Sequence, residues 1–408
     1  MSRPPPAPAD FRSEAFLRAH IAHTMAFYHP RALDPHGGFY HYFSDDGTVY
    51  DAHHRHLVSS TRFVFNYAMA AREFSDDATR AADYRSAARH GLRYLRERHR
   101  DPSHGGYAWT LRDGRPEDRS NHAYGVAFVL LAYASAARAG IAEAAPWIAE
   151  TWELLETRFF EPAYGLYRDE ADAAWRFSGY RGQNANMHLC EALLAAWQAT
   201  GALRYLERAQ LLADHMTRHQ AGKAGGLVWE HYDDRWNVDW DYHRADPKHL
   251  FRPWGFQVGH QTEWAKLLLI LANELRARGQ RLDWLLPRAQ QLFDAAVARG
   301  WDAEAGGLYY GFAPDGTVCD DDKYFWVQAE SLAAAARLAA ASAAPRYWDW
   351  YQRLWVYAWA HFVDHDYGAW YRILDRDNRK YSHEKSPAGK TDYHTMGACY
   401  DVLDVLRH

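Results

Sequence analysis

Apolar residues recur at three- and four-residue spacing in twelve stretches of this chain. The stretches lie near 11–28, 56–73, 80–98, 122–138, 145–160, 184–199, 203–219, 258–277, 284–299, 325–341, 346–363 and 392–406. That period is the mark of a helix with one buried face. No long run alternates apolar and polar residues, so no extended sheet is predicted. Between the helical stretches a short signature returns, in which glycine precedes an aromatic or leucine. It reads Gly37-Gly38-Phe39-Tyr40, Gly105-Gly106-Tyr107-Ala108-Trp109 and Tyr164-Gly165-Leu166-Tyr167 in the first half. It reads Gly225-Gly226-Leu227-Val228-Trp229, Gly306-Gly307-Leu308-Tyr309-Tyr310 and Tyr367-Gly368-Ala369-Trp370-Tyr371 in the second. Glycine supplies turn geometry, and the aromatic opens a short extended segment. Each unit therefore reads as helix, short hairpin, helix.

Six copies at a spacing of roughly 60 to 80 residues give twelve helices in six pairs. A closed ring leaves no repeat end to cap, whereas an open solenoid needs one at each terminus. The expected fold is all-α: an (α/α)6 barrel of twelve helices with short β-hairpins at one end. Residues 11–408 are read as a single catalytic domain, because no linker-like shift in composition interrupts them. Residues 1–10, rich in Pro and Ala, are read as a flexible N-terminal arm. They lack the basic and apolar regions of a signal peptide.

Composition narrows the function. A net charge of −5 without a basic stripe argues against a nucleic-acid partner. No run of about 18 apolar residues predicts a transmembrane helix. Three scattered cysteines, Cys190, Cys319 and Cys399, make neither a disulfide framework nor a Cys-x-x-Cys knuckle, and a cytoplasmic setting is expected. Aromatics reach 15%, including 18 Trp and 27 Tyr, which suits a sugar cleft and equally suits a large helical core. Monomer and homodimer are both compatible with the sequence.

In such a barrel the second helix of each pair lies inside, where charged groups need a reason. Several cluster near the predicted starts of inner helices, as if aimed into one mouth. Asn184, His188 and Glu191 share a helical face. His260 and Glu263 form an i, i+3 pair, and a carboxylate beside an imidazole fixes its tautomer. Glu330, four residues after Trp326, falls in an Ala-rich helix where a buried carboxylate needs a partner. Arg62 precedes an apolar run, Asn121-His122 opens another inner helix, and Asp392-Tyr393-His394 opens the last. Taken singly, each has a structural reading: a cap, a satisfied core histidine or a buried ion pair. Their joint position favours chemistry. His53, His54 and His56 resemble a metal cluster but lack a second ligand set, so no metal is expected. No phosphate loop, dinucleotide fingerprint or nucleophile elbow appears, and no cofactor is expected. The runs Asp45-Asp46 and Asp320-Asp321-Asp322 read as solvated loop charge.

At these residues the chain resembles the N-acylglucosamine 2-epimerase superfamily, over nearly its whole length from Gly37 to His394. The Arg181–Glu191 stretch, Gly259–Trp264, Trp326–Glu330 and the late His394 carry the resemblance. It implies an (α/α)6 barrel and proton transfer on a monosaccharide. It implies His260 and His394 as the acid/base pair, with Glu263 orienting His260. Arg62 would hold O1 and O2 and stabilise an enediolate, and His188 would bind the sugar and assist ring opening. Asn184, Trp326 and Glu330 would line the cleft, with His122 placed there by helix position. The Asp392-Tyr393-His394 ending and the connection from Arg244 to Arg252 look most like the mannose and sulfoquinovose isomerase branch. The implied activity is aldose–ketose isomerisation of D-mannose and D-fructose, possible also for D-lyxose and D-xylulose. A sugar 2-epimerase, a glycoside hydrolase and a carbohydrate-binding protein remain the alternatives.

Overall fold

The structure is a computed structural model that describes residues 7, 10–103, 105–249 and 251–408. The expected N-terminal arm therefore lies, apart from Ala7 and Asp10, outside the described residues. Twelve α-helices are found among them. They are α1 (Glu14–Tyr28), α2 (Leu57–Glu73), α3 (Ala78–Tyr94), α4 (Ala123–Arg138), α5 (Ala145–Leu154) and α6 (Gln183–Thr200). They continue with α7 (Leu203–Asp214), α8 (Val258–Ala277), α9 (Leu285–Gly300), α10 (Phe325–Ser342), α11 (Pro345–His361) and α12 (Tyr393–Arg407). Three outer helices, α3, α5 and α7, run on into a π-helical turn, at Leu95–His99, Leu155–Phe159 and His215–Gln220.

The even-numbered helices pack against one another as the inner ring, and the odd-numbered helices lie outside. Sequence explains the division. α4 reads AYGVAFVLLAYASAAR and buries nearly every residue, as a helix enclosed on all sides must. α7 and α9 carry one apolar stripe and a charged outer face. None of the twelve is long and apolar enough to cross a membrane.

Each inner helix starts at the end of the barrel that carries the short strands, and these strands close the ring. His54–His56 pairs with Thr110–Arg112, Asn121–His122 with Glu170–Ala171, and Arg181–Gly182 with His231–Tyr232. Phe256–Gln257 pairs with Gly311–Phe312, Lys323–Tyr324 with Ile373–Leu374, and Glu384–Ser386 with Tyr42–Ser44. The last ladder joins the end of the chain to its beginning. Much of the pairing therefore runs between successive units, where the sequence predicts only hairpins within a unit. Hairpins do occur, as in the pairing of Gly311–Phe312 with Val318–Asp320.

The glycine–aromatic segments are pinned by side chains from the inner helix starts. Tyr167 N–H donates to Asn186 Oδ1 (2.9 Å), Val228 N–H to Gln261 Oε1 (3.0 Å) and Leu308 N–H to Gln328 Oε1 (3.0 Å). Trp370 N–H donates to Asp392 Oδ1 at 3.1 Å. A buried amide N–H needs such a partner. Gly307 shows why the repeat keeps glycine: φ is +82°, and a Cβ would lie 2.3 Å from the Tyr357 ring.

Candidate active site

Five of the inner helices bring their first turns and the residues just after them into a common mouth. α2 supplies Arg62, α6 His188 and Glu191, α8 His260 and Glu263, α10 Trp326 and Glu330, and α12 Tyr393 and His394, with Lys266 further along α8, behind Glu330. The histidines and the arginine are buried, between 3% and 8% exposed, so each polar atom must be accounted for.

Every imidazole presents Nδ1 to a carboxylate. His394 Nδ1 lies 2.7 Å from Glu330 Oε1, His260 Nδ1 2.9 Å from Glu230 Oε2, and His188 Nδ1 3.1 Å from Glu191 Oε2. An ionised carboxylate only accepts, so the proton sits on Nδ1 and the lone pair on Nε2. Trp326 stands between two of the rings, 5.0 Å from His260 and 5.7 Å from His394 at similar tilts. His188 lies 6.3 Å from His394 and 4.7 Å from Phe128. The Arg62 guanidinium sits 4.3 Å from the Phe128 ring centre and 4.9 Å from that of Tyr393. It donates to Gly389 O (2.5 Å) and Tyr124 Oη (3.1 Å). The four groups on which the sequence reading depends are thus linked through one aromatic shell.

Burial sets the protonation states. It lowers the His188 pKa to about 4 against the opposing pull of Glu191. It holds His394 well below the ordinary histidine value, helped by the nearby charge of Arg62. Both rings are therefore neutral near pH 7. Glu263 is fully buried, and neither of its oxygens has a hydrogen-bond partner. Burial, and then the charge of Glu330, raise its pKa well above the usual carboxylate value, which favours its protonated form. Burial also raises the Glu330 pKa, and Lys266 Nζ, which donates to its Oε2 at 2.5 Å, pulls it back toward ionisation.

One expected pairing differs. The sequence reading gives Glu263 the task of orienting His260, and the structure places Glu230 there. The i, i+3 offset turns Glu263 toward the barrel axis, 3.8 Å from His188 Nδ1. Asn184 lies in the first turn of α6 with its buried Oδ1 unpartnered. His122 sits at the rim, 4.1 Å from the Trp109 ring, with Nε2 2.9 Å from Ser120 Oγ and Nδ1 3.6 Å from Glu170. The connection running to Arg252 reaches the same rim, where Arg252 donates to Glu170 at 2.5 Å and lies over Tyr180. Asp392 stands at the N-cap position of α12 without a side-chain bond to a helix N–H. It adopts φ +55° and accepts from Tyr28 Oη (2.7 Å) and Lys390.

Glu230, Lys266, Tyr124 and Tyr393 were missed as site residues. Glu230 directly follows a glycine–aromatic copy, and Lys266 is a lone cation in the apolar stretch Trp264–Leu271. Those were the available signals. The grouped His53, His54 and His56 do not converge. They bind Asp113, the Tyr42 hydroxyl with Glu117, and the Val58 N–H respectively. Glu263, Glu330 and His394 offer ligand atoms within 4.8 Å of one another, but the Lys266 ammonium already occupies Glu330.

The N-acylglucosamine 2-epimerase (GlcNAc 2-epimerase) profile matches residues 38–398. A D-mannose isomerase of Marinomonas mediterranea is 56% identical over 398 residues, 97% of this chain and 98% of that one. A D-mannose isomerase of Thermobifida fusca is 40% identical over 71% of each chain. A crystal structure of a D-mannose isomerase superposes with a TM-score of 0.93 at 56% identity, covering 98% of this chain and 100% of the other. With barrel, ring closure and paired imidazoles in place, the chain belongs to the N-acylglucosamine 2-epimerase family.

Proposed function

We propose that this protein is an aldose–ketose isomerase that interconverts D-mannose and D-fructose without a metal, through a cis-enediolate. The observation that carries the reading is the set of imidazoles whose Nδ1 atoms are held by carboxylates while Nε2 meets no hydrogen-bond partner among the described residues. Likeness to D-mannose isomerases over nearly the full chain supports the choice of sugar.

In this reading the sugar ring opens with help from His188, and His394 Nε2 takes the C2 proton. Negative charge then develops on O1 and O2. Arg62 and the N-terminal ends of the inner helices stabilise it where it forms. Arg62 supplies the positive charge that a metal would otherwise bring. The proton returns to C1 to give fructose. His260, on the other side of Trp326, exchanges protons with the hydroxyl oxygens. Its position also keeps 2-epimerisation as a second reading, because delivery to the opposite face of C2 needs a second acid. Hydrolysis fits poorly: Glu330 is committed to His394 and Lys266, and Glu263 is sealed from solvent. The free thiols of Cys190, Cys319 and Cys399 are in keeping with a reducing cytoplasm.

The test is incubation of mannose, lyxose, glucose, cellobiose, N-acetylmannosamine and sulfoquinovose in deuterated water with a chelator. Ketose from mannose, with solvent deuterium at C1, supports the reading. Glucose appearing from mannose with no fructose would move the assignment to epimerase, and no exchange at all would sink both.

A further inference from the structure

Three carboxylates, the buried Glu263 and Glu330 and the partly exposed Glu191, converge inside the barrel, and one buried ammonium, Lys266, lies among them. Three ionised carboxylates in so dry a place are costly, so the cation decides which of them keeps its charge. Glu191 is served by His188 and the Tyr393 hydroxyl. Glu263 has no donor. Glu330 alone receives Lys266, on Oε2, while its other oxygen meets His394 Nδ1.

We propose that Lys266 is a positioning residue that keeps Glu330 ionised and thereby holds the His394 proton on Nδ1, leaving Nε2 as the base. The proposal rests on the isomerase reading for its catalytic consequence only. Without the ammonium, Glu330 takes up a proton. A protonated Glu330 donates to His394 Nδ1, the imidazole proton then resides on Nε2, and the ring faces the sugar as an acid. The single hydrogen bond from Lys266 to Glu330 thus selects between two tautomers on the far side of the carboxylate.

Lys266 does this from behind. A cavity of about 410 Å³ opens at the barrel end away from the mouth, and Glu191, Lys266, Glu330 and Tyr393 form its inner wall. Exposed residues such as Asn273, Asp404 and His408 line its outer part. A small cation can therefore reach the Lys266 position without passing the sugar site.

Two variants test this. Lys266→Met fills the space without charge, and Lys266→Ala leaves an ammonium-sized gap joined to the rear cavity. With 15N-labelled histidine, long-range NMR correlations should show Nδ1–H for His394 in the wild type and Nε2–H in Lys266→Met. The His394→Gln variant assigns the signal. For mannose, kcat should fall about 100-fold in both variants with KM changed less than about threefold. Ethylammonium should restore at least about tenfold of the loss in Lys266→Ala but not in Lys266→Met, and n-propanol should restore nothing. A folded Lys266→Met protein that keeps Nδ1–H, or a Lys266→Ala protein that ethylammonium leaves unrescued, overturns the proposal. The tautomer measurement needs no substrate, so a wild type inert toward mannose would sink the function reading and leave this one to stand or fall by itself.

Discussion

Glu230 Oε2 stands 2.9 Å from His260 Nδ1 and accepts a second bond from Gln183 Nε2 at 3.0 Å. The carboxylate comes from the segment that follows a glycine–aromatic turn, and the imidazole from the first turn of α8. Neither residue is near the other in sequence. Replacing Glu230 by Leu keeps the bulk but removes the one oxygen that accepts from both His260 and Gln183. The His260 proton is then no longer held on Nδ1. kcat should fall by about 10²–10⁴, the range usual for losing a positioned acid/base group. Glu263→Gln should change kcat by less than about threefold, because Glu263 is already neutral and makes no hydrogen bond. Steady-state rates of the two variants on mannose decide it. The reverse ranking would restore the pairing that the sequence suggested.

The protonation of His394 fixes the acid side of the pH profile. Burial holds its pKa well below 6.5, and that of His188 near 4. A base that stays neutral loses no activity on crossing the usual histidine pKa. The acid limb of kcat/KM should therefore lie below pH 6.5, as read from initial rates too short for unfolding to matter. An acid limb at or above pH 6.5 would mean that the base is another group or that the site is wetter than the structure has it.

Gly259 makes the Trp326 platform possible. It precedes His260 in α8, and a Cβ there would lie 2.3 Å from the Trp326 ring. Gly259→Ala should push the indole away from its place between His260 and His394. A misplaced sugar platform lowers kcat/KM, here by about tenfold. Alanine gains up to about 1 kcal/mol of helix propensity over glycine, so the melting temperature should fall little. Loss of activity with nearly unchanged melting separates displacement of the platform from a damaged fold.

The helices were legible because their burial repeats along the chain. α8 was predicted at 258–277 and occupies those residues, and α4 begins one residue from its predicted start. The spacing predicts outer helices several residues too long where α3, α5 and α7 pass into π-turns, since apolar spacing hardly changes there. Closure of the ring was legible only as a repeat count. The ladder that performs it, Tyr42–Ser44 with Glu384–Ser386, joins segments that periodicity cannot relate. The site divides in the same way. His188, His260, His394 and Arg62 stand out as polar residues on apolar helices. Which carboxylate serves which imidazole depends on turns in three dimensions, and the i, i+3 offset of Glu263 pointed to the wrong ring.

Buried imidazoles also set the acid stability of the whole barrel. Burial lowers the pKa of His20 and His56 to about 3 and of His99, His188 and His231 to about 4. It holds His41 and His394 well below their ordinary value. In the unfolded chain these groups titrate near about 6.5. Above that pH both states are neutral and contribute nothing to the difference. As pH falls from about 6.5 toward about 4, the unfolded chain binds protons that the folded one refuses, and stability drops by about 1.4 kcal/mol per pH unit for each net proton. Asp169, raised to about 7, Asp320, raised to about 6, and Glu263, raised well above its range, act in the opposite sense. They keep protons in the folded state that the unfolded chain has lost. The imidazoles outnumber them, so the net slope is toward instability in acid. Urea midpoints measured at pH 7, 6 and 5 at fixed ionic strength should fall steadily. A midpoint that holds or rises on acidification would show that these histidines are charged or hydrated in the folded protein, and the neutral imidazoles on which the chemistry depends would go with them.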